Sequence, residues 1–213
     1  MKKLTPLLIW SLTSLFSLPA LADMSPELLS LSERWAKIKY QTPEDQRVTA
    51  LESLSQDAQS LAKAHPGEAA PLIWEGIILS TLAGEKGGLG ALSLVNQAKE
   101  VLEKAEAIEP EALDGSVYTS LGSLYYQVPG WPIGFGDDDK AREYLQKALA
   151  VNPDGMDPNY FYGDFLLQEK DYAQAASAFE HALQAPQRNR PIADAGRHSE
   201  ITAALEKTRQ LMH

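Results

Sequence analysis

The chain has no cysteine. That excludes a disulfide framework, a thiolate metal site, a cysteine nucleophile and a lipid-modified cysteine anchor. Basic residues are in short supply too: 19 Lys and Arg face 29 Asp and Glu, for a formal charge of −10. This balance argues against nucleic acid as a partner, because phosphate binding needs clustered cations. The four histidines, His65, His181, His198 and His213, lie far apart, and none is paired at the helical spacing of a zinc site, so no metal is expected. Beyond the first 22 residues nothing approaches about 18 consecutive apolar positions, so no later membrane span is expected. Sustained period-two alternation is missing, and no strand is predicted. With 44% hydrophobic and 23% charged residues, the composition is that of a globular chain.

Residues 1–22 read as an export signal. Lys2 and Lys3 precede an apolar run from Leu4 to Leu18, and Ala20-Leu21-Ala22 fits the small-x-small cleavage pattern. Cleavage is expected before Asp23. It would remove 22 residues and two lysines, leaving 191 residues and taking the charge from −10 to −12. The style of the signal points to a bacterial periplasm, with no membrane insertion after cleavage.

Proline punctuates the rest of the chain. Pro26, Pro43, Pro71, Pro158 and Pro191 open Ala/Leu/Glu-rich stretches, whereas Pro66, Pro110, Pro153 and Pro186 come just after their ends. Proline is tolerated in the first helical turn and stops a helix elsewhere. Ser25, Thr42 and Asp157 stand before three of the starts as candidate caps. The punctuation predicts helices over 25–40, 43–64, 69–83, 91–108, 114–127, 138–150, 158–169, 171–184 and 191–212.

Several of these segments repeat. Ala98, Leu102, Ala105 and Pro110 are spaced 4, 3 and 5; Ala141, Leu145, Ala148 and Pro153 obey the same rule. Ala175, Phe179 and Ala182 give 4 and 3 again, and Leu54, Ala58, Leu61 and Pro66 suggest a degenerate further copy. Upstream helices carry Trp74 with Ile77-Ile78, then Leu121-Gly122 with Tyr125, then Tyr162-Gly163 with Leu166. Alternating small and large residues at such spacing let two helices approach closely and fill the seam between them. The pattern resembles the tetratricopeptide repeat family, whose helix–turn–helix unit is about 34 residues.

The resemblance implies an all-α, right-handed solenoid forming a single domain over 23–213. It would comprise a degenerate first pair (25–64), three repeats (69–110, 114–153, 157–186) and a capping helix (191–212). Two joins are longer than the family's tight turn. Trp74 to Pro110 spans 36 positions, about eight more than the pattern, placing an insertion at 84–90. Leu121 to Pro153 spans 32, about seven more, placing a second at 128–136. Insertions on one edge of a solenoid often form a binding face.

The second insertion carries Trp131, Ile133 and Phe135 among Gly and Pro. Two readings stand: an apolar plug folded onto the adjacent helices, or an aromatic contact surface. Asp137-Asp138-Asp139 next to it reads as a helix start, since carboxylates favour the positive helix end and the spacing does not suit a calcium loop. The first insertion lacks the Gly-Lys-Ser/Thr of a phosphate loop, so no nucleotide or other cofactor is expected. No catalytic constellation is visible, and no enzyme is expected.

In the family, the first helix of each pair lines the concave side. Position matching implies a binding surface at Ser116, Thr119, Ser123 and Tyr126, then Asp157, Tyr160, Asp164 and Leu167, with Trp131 and Phe135 as the loop candidates. The function implied is a protein-interaction scaffold holding a peptide or protein partner in an open groove. A second reading is a ligand-binding accessory of a periplasmic transport system, because the swollen joins resemble the T-component proteins of TRAP transporters. That reading predicts an enclosed cavity for a small hydrophobic ligand. A third is a cell-envelope assembly factor.

Overall fold

The computed structural model describes residues 24–212, so the expected leader lies outside the described residues. Nine helices are present among these: α1 Pro26–Gln41, α2 Glu44–Ala64, α3 Ala69–Lys86, α4 Gly88–Ile108, α5 Ala112–Gln127, α6 Asp138–Val151, α7 Met156–Gln168, α8 Tyr172–Ala182 and α9 Pro191–Leu211. They form an α-solenoid of four helix pairs plus a final helix. Ser25 caps α1 as its spacing implies, its hydroxyl accepting from the Leu28 N–H at 3.3 Å. Asp137 caps α6 in the same way, through the Lys140 N–H at 3.1 Å.

Two expected caps act otherwise. Thr42 ends α1 rather than starting α2, donating its hydroxyl to the Lys37 carbonyl. Asp157 lies inside α7, whose N-cap is Gly155, because its carboxylate is taken up by two guanidiniums. In α2, Leu54 and Ala58 of the degenerate repeat are fully buried as its spacing implies, whereas Leu61 is half-buried and Ala62 beside it is buried.

The expected loop at 84–90 is almost absent. Helix α3 runs on to Lys86 and α4 begins at Gly88. Gly87 and Gly88, with φ of 60° and 61°, reverse the chain in the left-handed region that suits glycine. The extra residues became helical turns: α3 and α4 have 18 and 21 residues, against 13 and 11 in α7 and α8. The reason is that Gly84 and Gly90 weaken a helix by about 1 kcal/mol each without forbidding it. Lys86 to Glu52 (2.8 Å) and Arg47 to Glu85 (3.5 Å) fasten this extension to α2.

The repeated small and large residues form the seams. Ala98, Ala105, Ala141, Ala148, Ala175 and Ala182 are fully buried, as are Leu102, Leu145 and Phe179 between them. Each large residue faces a glycine of the paired helix. A Cβ on Gly76 would stand 2.5 Å from Leu102 Cγ, one on Gly122 2.7 Å from Leu145 Cγ, and one on Gly163 2.8 Å from the Phe179 ring. Gly122→Ala should therefore lose about 1 kcal/mol by crowding Leu145, although glycine to alanine in a free helix gains a similar amount. Urea denaturation checks the sign.

Odd-numbered helices pack in a row, α1 on α3, α3 on α5, α5 on α7 and α7 on α9, with each even helix seated between two odd ones. Helix α9 also packs on α1. The row is thus a closed ring of five helices.

Candidate functional site

Side chains expected to face an open groove are largely consumed by this ring. Regular helix in α5 begins only at Ser116, after left-handed Leu113, Asp114 and Gly115, and the Ser116 hydroxyl donates to the Leu113 carbonyl. Thr119, Ser123 and Tyr126 are buried. The Ser123 hydroxyl donates to the Ser120 carbonyl at 2.9 Å. The Tyr126 hydroxyl crosses from α5 to α7, donating to Asp164 Oδ2 at 2.7 Å. Burial raises the Tyr126 hydroxyl well above its usual value and raises the Asp164 carboxyl as well. Their hydrogen bond is a joint of the ring.

The same holds between α7 and α9. Arg197 is 5% exposed. Its guanidinium donates to Asp157 at 2.7 Å and to Glu200 at 2.5 Å, and lies over the rings of Tyr160 (4.4 Å) and Phe161 (4.9 Å). Burial pushes the Tyr160 hydroxyl up to about 12. Asp157 also receives Arg188, which in turn pairs with Asp194 at 2.8 Å. Burial alone would raise the Asp157 carboxyl, but the two guanidiniums outweigh it and hold it well below the usual range.

Ring closure onto α1 uses Glu200, which accepts from Lys39 at 3.0 Å and from the Tyr40 hydroxyl at 3.2 Å. Gly196 makes room for this contact: a Cβ there would come 2.4 Å from the Tyr40 ring. Between α1 and α3, the Trp35 indole donates to Thr81 at 2.9 Å. The concave positions thus serve the fold first.

The loop from Val128 to Gly136 divides between the two readings the sequence left open. Its neck is closed by the Gly136 N–H to the Pro129 carbonyl (3.0 Å), and the Asp137 N–H binds the Tyr125 carbonyl (2.9 Å). Within it, Gly130 accepts from Ile133 and Gly134 N–H groups. Only glycine fits the crossing: a Cβ on Gly136 would meet the Val128 carbonyl oxygen at 1.9 Å. Phe135 is the plug, half-buried edge-on to Tyr125 at 5.6 Å with Lys99 over its face. Trp131 is 91% exposed and Ile133 64%. A hydrogen-bonded loop, anchored by one aromatic, presents two apolar side chains to solvent.

The loop neck walls an open cleft of about 550 Å³ whose floor includes Tyr125, Tyr126 and Phe165. Asp137, Asp138 and Glu169 stand along it. A second open depression, of about 570 Å³, lies where the α7–α8 turn meets Leu211 and Met212.

Residues 133–198 match the tetratricopeptide repeat family. No curated protein matches the chain. Among solved structures, TTC0263, a thermophilic tetratricopeptide-repeat protein of Thermus thermophilus, is similar with a TM-score of 0.56 at 16% identity, over 84% of this chain and 97% of that one. MamA is similar at 0.45 and 19% identity, over 81% and 96%. A second MamA structure, AMB-1, gives 0.46 and 21%, over 84% and 96%. The Thermus likeness shows the fold, and the family match shows tetratricopeptide-repeat sequence from the end of the loop, at Ile133, through α6 to α8 and into the start of α9, so Trp131 lies just outside the matched segment.

Proposed function

We propose that this tetratricopeptide-repeat protein is an exported interaction scaffold that engages a protein partner through the loop from Val128 to Gly136. The observation that carries the reading is the exposure of Trp131 and Ile133 on a loop whose backbone is already fixed. Large apolar side chains held out in water on an ordered support serve contact, and the ordering cost is met before binding. The tetratricopeptide-repeat fold favours protein binding over catalysis. Export rests on the basic start, the apolar run and the Ala-Leu-Ala end of residues 1–22. N-terminal sequencing of the periplasmic product should start at Asp23, and intact Met1 in a membrane fraction would overturn export.

The contact reading has its own test. Trp131→Ala should change stability by less than about 0.5 kcal/mol, as for an exposed residue. Phe135→Ala should cost roughly 2 kcal/mol, about half the figure for a fully buried ring. A photo-crosslinking amino acid at position 131, introduced in the producing cell, should give discrete adducts that disappear when Ile133 is changed to Ser. A thermal melt shifted by Trp131→Ala, or no adducts at all, rejects the loop as the contact site.

A further inference from the structure

We propose that the segment bound at this loop is basic as well as apolar: it sets a large hydrophobic side chain against Trp131 and Ile133 and a neighbouring Lys or Arg at the rim of the cleft beside the loop neck. The inference rests on reading the loop as the contact site and adds the chemistry of what it contacts.

The cleft has the features that hold a cation. Its floor is aromatic, with Tyr125, Tyr126 and Phe165. The protein's own cations take two of these ring faces, Lys140 Nζ at 5.3 Å from the centre of the Tyr125 ring and the Arg142 guanidinium at 4.8 Å from that of Phe165, so a partner's cation is held at the rim, by its carboxylates and helix ends. Helices α5 and α7 both end at its walls, at Gln127 and Gln168, and helix C-termini carry partial negative charge.

The carboxylates facing it are Asp137, Asp138 and Glu169. Glu169 is partly offset by Arg142 at 3.2 Å, and Asp137 is engaged by the Lys140 N–H. Asp138 and its neighbour Asp139 are exposed and make no ion pair among the described residues. The apolar tip adjoins the cleft: Gly130 lines it and Trp131 is the next residue. An apolar tip beside Asp138 and Asp139, which make no ion pair among the described residues, selects a partner that is hydrophobic and positive, and disfavours an acidic segment or an anionic lipid surface by like-charge repulsion.

The test is selection from a displayed library of random dodecapeptides on the full mature protein, with counter-selection on Trp131→Ala. Enriched peptides should carry Lys or Arg within two positions of an aromatic or aliphatic residue. Binding of synthesised winners should weaken at least tenfold in Trp131→Ala and in Asp138→Lys, and should fall as salt rises. Winners that are neutral or acidic, or that bind Asp138→Lys undiminished, overturn the proposal. So does an absence of peptides dependent on Trp131. Flotation with phosphatidylglycerol vesicles supplies another outcome: Trp131-dependent association would replace the peptide by a membrane. Adducts at position 131 in the cell combined with any of these failures would leave the contact site standing and reject only its basic partner.

Discussion

Replacing Arg197 with methionine should cost about 3 kcal/mol, the lower end of the range for breaking a buried ion pair. Methionine keeps the apolar stem but leaves Glu200 and Asp157 each short of a partner. The lower end applies because Asp157 is about one-third exposed and regains water, and because Arg188 and Lys39 remain on the two carboxylates. The loss should be localised. A linear repeat array frays at its ends, since each unit leans only on its neighbours. Here the first and last odd helices protect each other, through Glu200 with Lys39 and Tyr40 and through Gly196 beneath the Tyr40 ring. The variant should revert toward an open array, so hydrogen exchange should rise first in α1 and α9 while α5 and α6 stay protected. Unchanged exchange in those two helices would show that the seam contributes nothing.

The same network sets an acid limit. The folded Asp157 carboxyl is depressed below its unfolded value of about 3.9. A depressed carboxyl contributes stability that is complete above the unfolded value and is lost as pH falls through the folded one. Wild-type stability should therefore drop below about pH 4. Asp157→Asn should be less stable at neutral pH and should lose less on acidification, and denaturant midpoints at pH 7 and pH 3 decide it.

The legibility of each feature in the sequence depends on the physics that sets it. The helices and their seams are local: the 4-and-3 spacing of small and large residues suffices to find them, and proline places most of the ends. Gly76 carries no such signal beside Trp74, yet it faces Leu102 as Gly122 faces Leu145. The insertion at 84–90 reads as a loop because four glycines suggest one, while the gain from extending two packed helices outweighs their cost. Ring closure is not legible. It depends on Asp157 of α7, Arg188 of the connection between α8 and α9, and Arg197 and Glu200 of α9 meeting one another, and no spacing rule links Lys39 of α1 to Glu200. Groove positions inferred from the repeat pattern, such as Thr119 and Tyr126, are buried because α5 packs directly on α3 and α7, where Tyr126 reaches Asp164. The loop is half legible: its composition marks it as unusual, but only its hydrogen bonds decide that Phe135 turns inward and Trp131 outward.

The repeat seam itself admits a sharper test than single substitutions give. Phe179 is fully buried and sits against Gly163, where an added Cβ would stand 2.8 Å from the ring. Phe179→Ala should cost about 3–5 kcal/mol, because the transferred area is lost and a cavity remains. Gly163→Leu should cost about 1–3 kcal/mol for the opposite reason, overpacking. If the two residues share one space, the new leucine can occupy what the phenylalanine vacates. The double variant should then be more stable than the sum of the single losses by about 1–2 kcal/mol, within the range for residues in contact. A control pair guards the cycle: Gly122→Leu combined with Phe179→Ala joins different seams and should add. Strict additivity in the Gly163 pair would mean that α7 and α8 do not meet through these residues, and the seam geometry inferred for all three repeats would fall with it.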